Sequence, residues 1–315
     1  MMDPFFSSPF PSSKPTSTEF GTSSTLSSMK ILESWTDSLT SGEWRWSQVW
    51  KGKLCPEKKK GSVKKGSRVK KGPSKPEEEK QVVIKIFQQS KFPEYYSGAE
   101  VTWKEAHAYK KMMKLQGKVI PKSFGFHKVY APASNGRPEP CYAHVLEYLP
   151  LSSLRLLEQQ ARSTRLSGET VSSLLDNLVS SLHEVHECGI AHNDIINISN
   201  VLVETSTTDA EVLLVTKVVL IDFSMSVDAE PDALKNDGNS VIGLIGELHV
   251  SQRILTVLQW YERNSDKPYA KGVFANVDLN PGKKRKPRIP GEYPESFKRF
   301  RAITLGHRAE LEAES

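Results

Sequence analysis

Cysteine is scarce in this chain. Cys55, Cys141 and Cys188 are the only three in 315 residues, too few and odd in number for a disulfide framework, and no pair has the spacing of a metal site. Long apolar runs are missing too, since none approaches the ~20 residues that a membrane helix needs. The opening MMDPFFSSPFPSS has no basic stretch leading into an apolar core, so it does not read as a signal peptide. No internal repeat is visible. These shortages predict an intracellular protein, cytoplasmic or nuclear, with no membrane partner.

What is present suits a folded domain with appended segments. The hydrophobic fraction of 37% and aromatic fraction of 9% can supply a core. The formal net charge of +6 points to an acidic partner such as a nucleotide, nucleic acid or phospholipid surface. That charge is concentrated in two runs, residues 58–71 and Lys283–Arg288 (KKRKPR). Such runs read either as solvated segments or as signals for a nuclear import receptor. No base-reading module accompanies them, so specific nucleic-acid recognition is not expected.

The pattern divides the chain. Residues 1–30 are rich in Ser, Thr and Pro and cannot bury enough apolar surface to offset the entropy of ordering, so a disordered tail is expected. Residues 53–80 form a Lys/Gly/Ser insertion. It interrupts a first region, 31–149, in which Trp44, Trp46, Val49, Trp50 and the run Gln81–Phe87 have strand character. Val101, Glu105, Ala108, Met112 and Leu115 recur at helical spacing, which predicts a helix over 99–116 with Gly117 as its stop. Strands are expected over 119–126 and 143–149. A second region, 150–262, opens its pattern with an apolar helical stripe, Leu174, Leu175, Leu178, Val179, Leu182 and Val185, which predicts a helix over 170–188 capped by Gly189. A strand pair at 200–204 and 212–221 and a helix over 239–260 follow. Residues 263–315 read as a basic tail. The expected fold class is α+β: a small, mostly β lobe followed by a truncated, mostly helical one.

Four elements carry candidate chemistry. Lys85 lies inside the apolar strand VVIK, where an ammonium either snorkels at an edge or finds an anion. Glu105 shares the apolar stripe of its helix, where a carboxylate has no hydrophobic reason to be. Glu100 is roughly 140° around the same helix, from ~100° per residue, and is the poorer partner. A strand lysine neutralised by a helix glutamate can be aimed at a phosphate. The segment His192-Asn193-Asp194-Ile-Ile-Asn197-Ile-Ser199-Asn200 falls between a long helix and a strand. Asp194 there can orient or deprotonate a hydroxyl, and an Asn beyond it can give a hard cation an oxygen. Finally, Asp222 closes the apolar run Val218–Ile221 and can present a carboxylate to a metal. His107, His127, His144 and His183 read as surface or internally satisfied residues rather than ligands.

In this order the four elements resemble a protein kinase domain, and within that class the small divergent kinase-like proteins of fungi. Lys85 matches the strand lysine, Glu105 its helix partner, His192-Asn193-Asp194 the catalytic-loop H-x-D, and Asp222-Phe223-Ser224 the D-F-G. LQGKVIPKSFGF is similar to the strand that follows in the fungal group. The similarity runs from about Leu39 to Leu258. It implies ATP and magnesium as cofactors and a protein Ser/Thr hydroxyl as acceptor. It implies nucleotide contacts at Gly42, Val49, Val83, Lys85, Leu146, Glu147, Leu149 and Leu202, with Leu146 as gatekeeper and Leu202 as the floor of the base. Catalysis would fall to Asp194, Lys85 and Glu105, metal binding to Asp222 and Asn200, and Asp237 would brace the catalytic loop.

The sequence also departs from that pattern. Around Gly42 only the first of three expected glycines survives, with Trp44 and Ser47 in the loop that would close over phosphates. Asn193 replaces the usual arginine. The metal-binding Asn is expected five residues after the Asp, where Ser199 stands, so that Asn200 and Asn197 compete for the role. Ser224 replaces the last glycine of D-F-G, and no A-P-E follows. Two alternatives therefore remain: a pseudokinase acting as scaffold or nucleotide sensor, and a small-molecule phosphotransferase, since H-x-D with a later Asn also occurs in aminoglycoside- and choline-type enzymes.

Overall fold

The computed structural model describes residues 29–34, 47–54, 80–92, 96–132, 136–163, 166–248 and 253–275, with single positions at 250, 277 and 279. The Ser/Thr/Pro segment up to Ser28, Gly42, Trp44 and Trp46, most of the basic insertion with Cys55, and the Lys283–Arg288 run lie outside them.

The first region is an antiparallel sheet. β1 (Met29–Ser34), β2 (Ser47–Leu54) and β3 (Lys80–Phe87) are followed by α1 (Gly98–Lys111), then β4 (Ser123–Pro132) and β5 (Pro138–Glu147), in the spatial order β1-β2-β3-β5-β4. Alternation along the central strands separates two faces. Val82, Ile84 and Ile86 of β3 pack with Cys141, Ala143 and Val145 of β5, and Trp50 covers them. Val83 and Lys85 therefore share the opposite face with His144 and Leu146, and the register pairs Val83 with Leu146 and Lys85 with His144. α1 starts at Ser97, whose side chain accepts the Glu100 N–H, and buries Val101, Glu105 and Ala108.

Two strand expectations are corrected here. Val119 and Ile120 are not in a strand: Gly117, at φ 77°, turns the chain, and these two residues are buried in the turn. Leu220 donates its N–H to the Val119 carbonyl at 2.8 Å, so this apolar pair anchors the first region to the second. The strand proper begins at Ser123, and its partner covers 138–147 rather than 143–149, because pairing with β3 and β4 extends through residues whose outer end is polar.

The second region is helical around a small hairpin. After β6 (Ser152–Ser153) come α2 (Leu154–Ser163), α3 (Gly168–Glu187), β7 (Ile190–Ala191), β8 (Val201–Thr207), β9 (Leu213–Leu220) and β10 (Val227–Asp228), then α4 (Pro231–Glu247), α5 (Arg253–Asn264) and α6 (Pro268–Phe274). β6-β8-β9 form one sheet and β10 pairs with β7. The apolar stripe of α3 is buried as its spacing predicts, and Gly189 takes φ 73° just beyond the helix.

Three further features depart from expectation. α2 has no counterpart in the pattern. The single helix over 239–260 is two helices, the first starting at Pro231, a residue suited to a first turn. Order also continues past 262: α6 buries Ala270, Val273 and Phe274, and the Trp260 ring packs 6.2 Å from that of Phe274 while its Nε1 donates to Asp176 on α3 at 3.0 Å. A seven-residue segment is helical here because tertiary burial supplies the stability that so short a helix lacks by itself. No helix among the described residues is long and apolar enough to cross a membrane.

Candidate active site

β3 places Lys85 on the sheet face that α1 covers. Its Nζ donates to Glu105 Oε2 and to Asp222 Oδ1, each at 2.6 Å. The Glu105 side chain is fully buried and that of Lys85 nearly so, whereas Glu100 pairs with Lys104 on the outer surface of the helix. Burial pushes the Lys85 ammonium down, but the carboxylates of Asp222 and Glu105 outweigh it and hold the pKa above the ordinary lysine value. Burial likewise pushes Asp222 up, and Lys85 with the Ser224 hydrogen bonds outweighs it, leaving a pKa of about 2. One ammonium faces two carboxylates, so the cluster keeps an excess of negative charge that a cation can neutralise.

Asp222 adopts a left-handed conformation, φ 62°, and caps the 3-10 turn Phe223–Met225. Asp is among the few residues that tolerate it. Ser224, standing in the place of a glycine, uses the position: its Oγ donates to Asp222 Oδ1. Phe223 is fully buried between Tyr109 of α1 and His192, with ring centroids at 5.9 and 4.6 Å. This aromatic column turns Phe223 inward and Asp222 toward Lys85.

The loop after β7 is held from below. Asp237 on α4 is fully buried and accepts the backbone N–H groups of His192 and Asn193, both at 2.7 Å. Its Oδ2 also lies 2.9 Å from His186 Nε2. Asp237 thus sits where the resemblance implies a loop-bracing aspartate. His192 Nε2 donates to the Ile221 carbonyl at 3.0 Å, and Asn193, at φ 61°, donates its carboxamide N–H to the Met225 carbonyl at 3.3 Å. Both contacts tie the loop to the Asp222 turn.

Asn200 Nδ2 donates to Asp194 Oδ2 at 2.8 Å and to the Asp194 carbonyl at 3.1 Å. Ser199 instead accepts from Arg155 Nε at 3.1 Å, and Asn197 Oδ1 accepts the Ser199 N–H. A 3-10 turn over Ile198–Asn200 brings Asn200, rather than Ser199, back onto Asp194. Burial raises the Asp194 pKa above the ordinary aspartate value; His192 opposes this, the Asp222 charge adds to it, and the Asn200 hydrogen bond opposes it.

Among the described residues no cluster of three or more His, Cys, Asp or Glu side chains makes a dedicated metal site. The oxygens present fit magnesium nonetheless, since that ion keeps waters and takes only one or two protein carboxylates beside substrate phosphates. Asp222 offers a carboxylate with a depressed pKa, and the Asn200 carboxamide, whose N–H group is committed to Asp194, has its oxygen left to give.

Of the residues that the resemblance assigns to the nucleotide, Val49, Val83, Lys85 and Leu146 share one face of the sheet, Glu147 pairs with Val82 of the other face, and Leu202 lies in the β8–β9 hairpin. Val49 pairs with Lys85 across β2 and β3, Val83 with Leu146, and Leu202 with Val219 in the hairpin. Leu146 is buried and Leu149 half-buried beyond the end of β5. Glu147 donates its N–H to the Lys122 carbonyl and accepts the Lys122 N–H on its carboxylate, fixing the chain where β5 leaves the sheet. A surface hollow of about 390 Å³ between α3 and the turn at 117–119 is lined by none of these residues.

Three features of the site carry no motif: His144 and Ser123 behind Glu105, and the Asn193–Met225 link. The parity of His144 with Leu146, out of phase with Cys141, Ala143 and Val145, is a signal that could have placed its ring on the Lys85 face.

No protein-family model matches this chain, and no curated protein matches it. Among solved structures it is similar to WaaP, determined in complex with acyl carrier protein, at 15% identity over 62% of this chain and 77% of that one, with a TM-score of 0.40. The fold is α+β: an antiparallel sheet with one covering helix, followed by a helical region.

Proposed function

We propose that the chain is an ATP- and magnesium-dependent phosphotransferase. The observation that carries this reading is the shared contact of Lys85 with Glu105 and Asp222, set beside the Asp194–Asn200 pair. Lys85 would engage nucleotide phosphates, held in place by Glu105. Asp222 and Asn200 would hold magnesium, which supplies charge neutralisation at the phosphates. Asp194 would orient the acceptor hydroxyl and take its proton, a role that its raised pKa suits.

The first acceptor reading is a protein Ser/Thr hydroxyl. A specific observation favours a second, a small-molecule hydroxyl. Between Asp222 and the start of α4 at Pro231 the chain makes only the 3-10 turn and β10, and this connection is tied down. Asp228 accepts from Lys111 at 2.6 Å, and Ala229 donates to the Gly189 carbonyl. So short a connection offers little platform for a peptide.

The test is radiolabelled ATP with a panel of peptides and metabolites, run on the wild type and on Asp194→Asn. The variant should lose transfer while ATP and magnesium still raise its melting temperature. Equal turnover by the two proteins sinks the assignment. Nucleotide binding without turnover in the wild type would make the chain a sensor, and no stabilisation by ATP under any condition would make it a scaffold.

A further inference from the structure

Glu105 is a carboxylate with no exposure to solvent, and a carboxylate in that position must have both oxygens satisfied. Lys85 satisfies only Oε2. The other oxygen, Oε1, lies 2.8 Å from Nδ1 of His144, whose side chain is also fully buried. Nε2 of the same ring lies 2.9 Å from Ser123 Oγ. Because a carboxylate only accepts, Nδ1 must carry the proton, and Nε2 then accepts from the Ser123 hydroxyl. Burial pushes the imidazole pKa down, though Glu105 opposes it, so the ring is neutral in this arrangement.

The rest of the surroundings restrict the ring further. Phe126 stacks on it at 3.8 Å between centroids and 15° between planes, and Tyr109 meets it edge-on at 4.6 Å. The serine is fixed as well. It sits where the β4–β5 register shifts between Ser123 and Gly125, its Oγ accepts the Gly125 N–H at 3.2 Å, and its own N–H donates to Gln116 Oε1 at 3.0 Å. A continuous line of hydrogen bonds thus runs from Ser123 through His144 and Glu105 to Lys85 and Asp222.

We propose that His144, held by Ser123, is a positioning residue that occupies one oxygen of Glu105 so that Lys85 meets only the other and stays directed at the cleft. The inference rests on the phosphotransferase reading for its consequence, though not for its geometry. Without the Nδ1 donor, Oε1 of Glu105 is left buried and unpaired. The carboxylate then relieves itself by rotating both oxygens toward Lys85, which draws the ammonium away from Asp222 and from the phosphates it would bind.

The test uses the full chain and compares His144→Phe with His144→Asn. Phenylalanine keeps the stack on Phe126 and loses the donor, while asparagine places an N–H near the position of Nδ1. Titrating ATP with magnesium, His144→Phe should bind roughly tenfold more weakly, the loss expected for one hydrogen bond to a buried charge, and His144→Asn should recover most of it. Adenosine, which has no phosphate for Lys85 to meet, should bind all three proteins alike. An adenosine loss equal to the ATP loss would mean a general structural role and would overturn the proposal, as would unaltered ATP affinity in His144→Phe. A second arm needs no ligand. In histidine-selective nitrogen-15 NMR, His144 should show the Nδ1–H tautomer, and its proton signal should move in both Glu105→Gln and Ser123→Ala. The opposite tautomer, or a signal indifferent to both changes, overturns the proposal even if His144→Phe fails to fold. If the wild type binds neither ATP nor adenosine, it is the phosphotransferase reading that fails, and the NMR arm still decides how Glu105 is held.

Discussion

Asn200 and Ser199 illustrate how much hangs on one side chain. The spacing from Asp194 favours Ser199 by position, yet the 3-10 turn points Asn200 at the Asp194 carboxylate. Asn200→Ala should therefore raise the magnesium concentration needed for half-maximal turnover by roughly tenfold, a usual cost for disturbing a metal's surroundings. Ser199→Ala, which loses only the contact from Arg155, should leave it close to that of the wild type. A magnesium titration of initial rates separates the two. The protonation of Asp194 makes a second prediction at this scale. Its pKa is raised chiefly by burial, whereas that of Asp222 is about 2. As pH falls, Asp194 takes up its proton first, so the acid limb of kcat/KM should lie above the ordinary aspartate range and report Asp194. Lys85, Glu105 and Asp222 were legible because each carries a charge in an apolar setting, and Asp194 because it lies in a polar segment between a long helix and a strand. His144 was not, because a lone histidine in a strand says nothing until register places it across from Lys85.

At the scale of elements, α4 matters most for the loop after β7. It presents Asp237 to the N–H groups of His192 and Asn193, and its next residue, Gly238, lets α6 approach. A Cβ added at Gly238 would lie 2.5 Å from Val277 Cγ2 and 2.7 Å from the Val273 carbonyl oxygen. The valine side chain can turn aside, but the backbone oxygen cannot, so Gly238→Ala should destabilise the protein by about 1–3 kcal/mol, as overpacked sites do. Equilibrium unfolding in urea measures it. The periodicity of α1 and α3 was readable because an amphipathic helix against a core repeats its apolar positions every three or four residues. The same rule merged α4 and α5 into one helix and passed over α2 and α6. Short helices bury few residues, and their faces become apparent only against their neighbours, as with Phe274 beside Trp260.

Across the whole molecule, α6 (Pro268–Phe274) belongs to the core. Phe274 is 2% exposed, and Phe274→Ala should cost about 3–5 kcal/mol, visible as a lowered melting temperature together with weaker ATP stabilisation if α4 loses its support. The ion cluster at Lys85 sets a pH window for stability. Asp222 has a depressed pKa of about 2, so its contribution is full above the unfolded value near 4 and is lost as pH falls from there toward 2. Lys85 has a raised pKa, so its contribution is full below the ordinary lysine value and is lost only as pH rises through the higher folded one. Melting temperature followed from pH 2 to 6 should fall on the acid side in the wild type and fall less in Lys85→Met, which has no ammonium to hold Asp222 ionised. The α+β class, the apolar strands and helices and the charged motif residues were all determined by the sequence, because they follow from local periodicity and from charges placed among apolar neighbours. The pairing of β3 with β5, the contact of Asn200 rather than Ser199 with Asp194, the histidine behind Glu105 and the inclusion of α6 were decided only by the tertiary structure. Each depends on which distant residue lies across a strand or beneath a helix, and a one-dimensional pattern does not encode that distance.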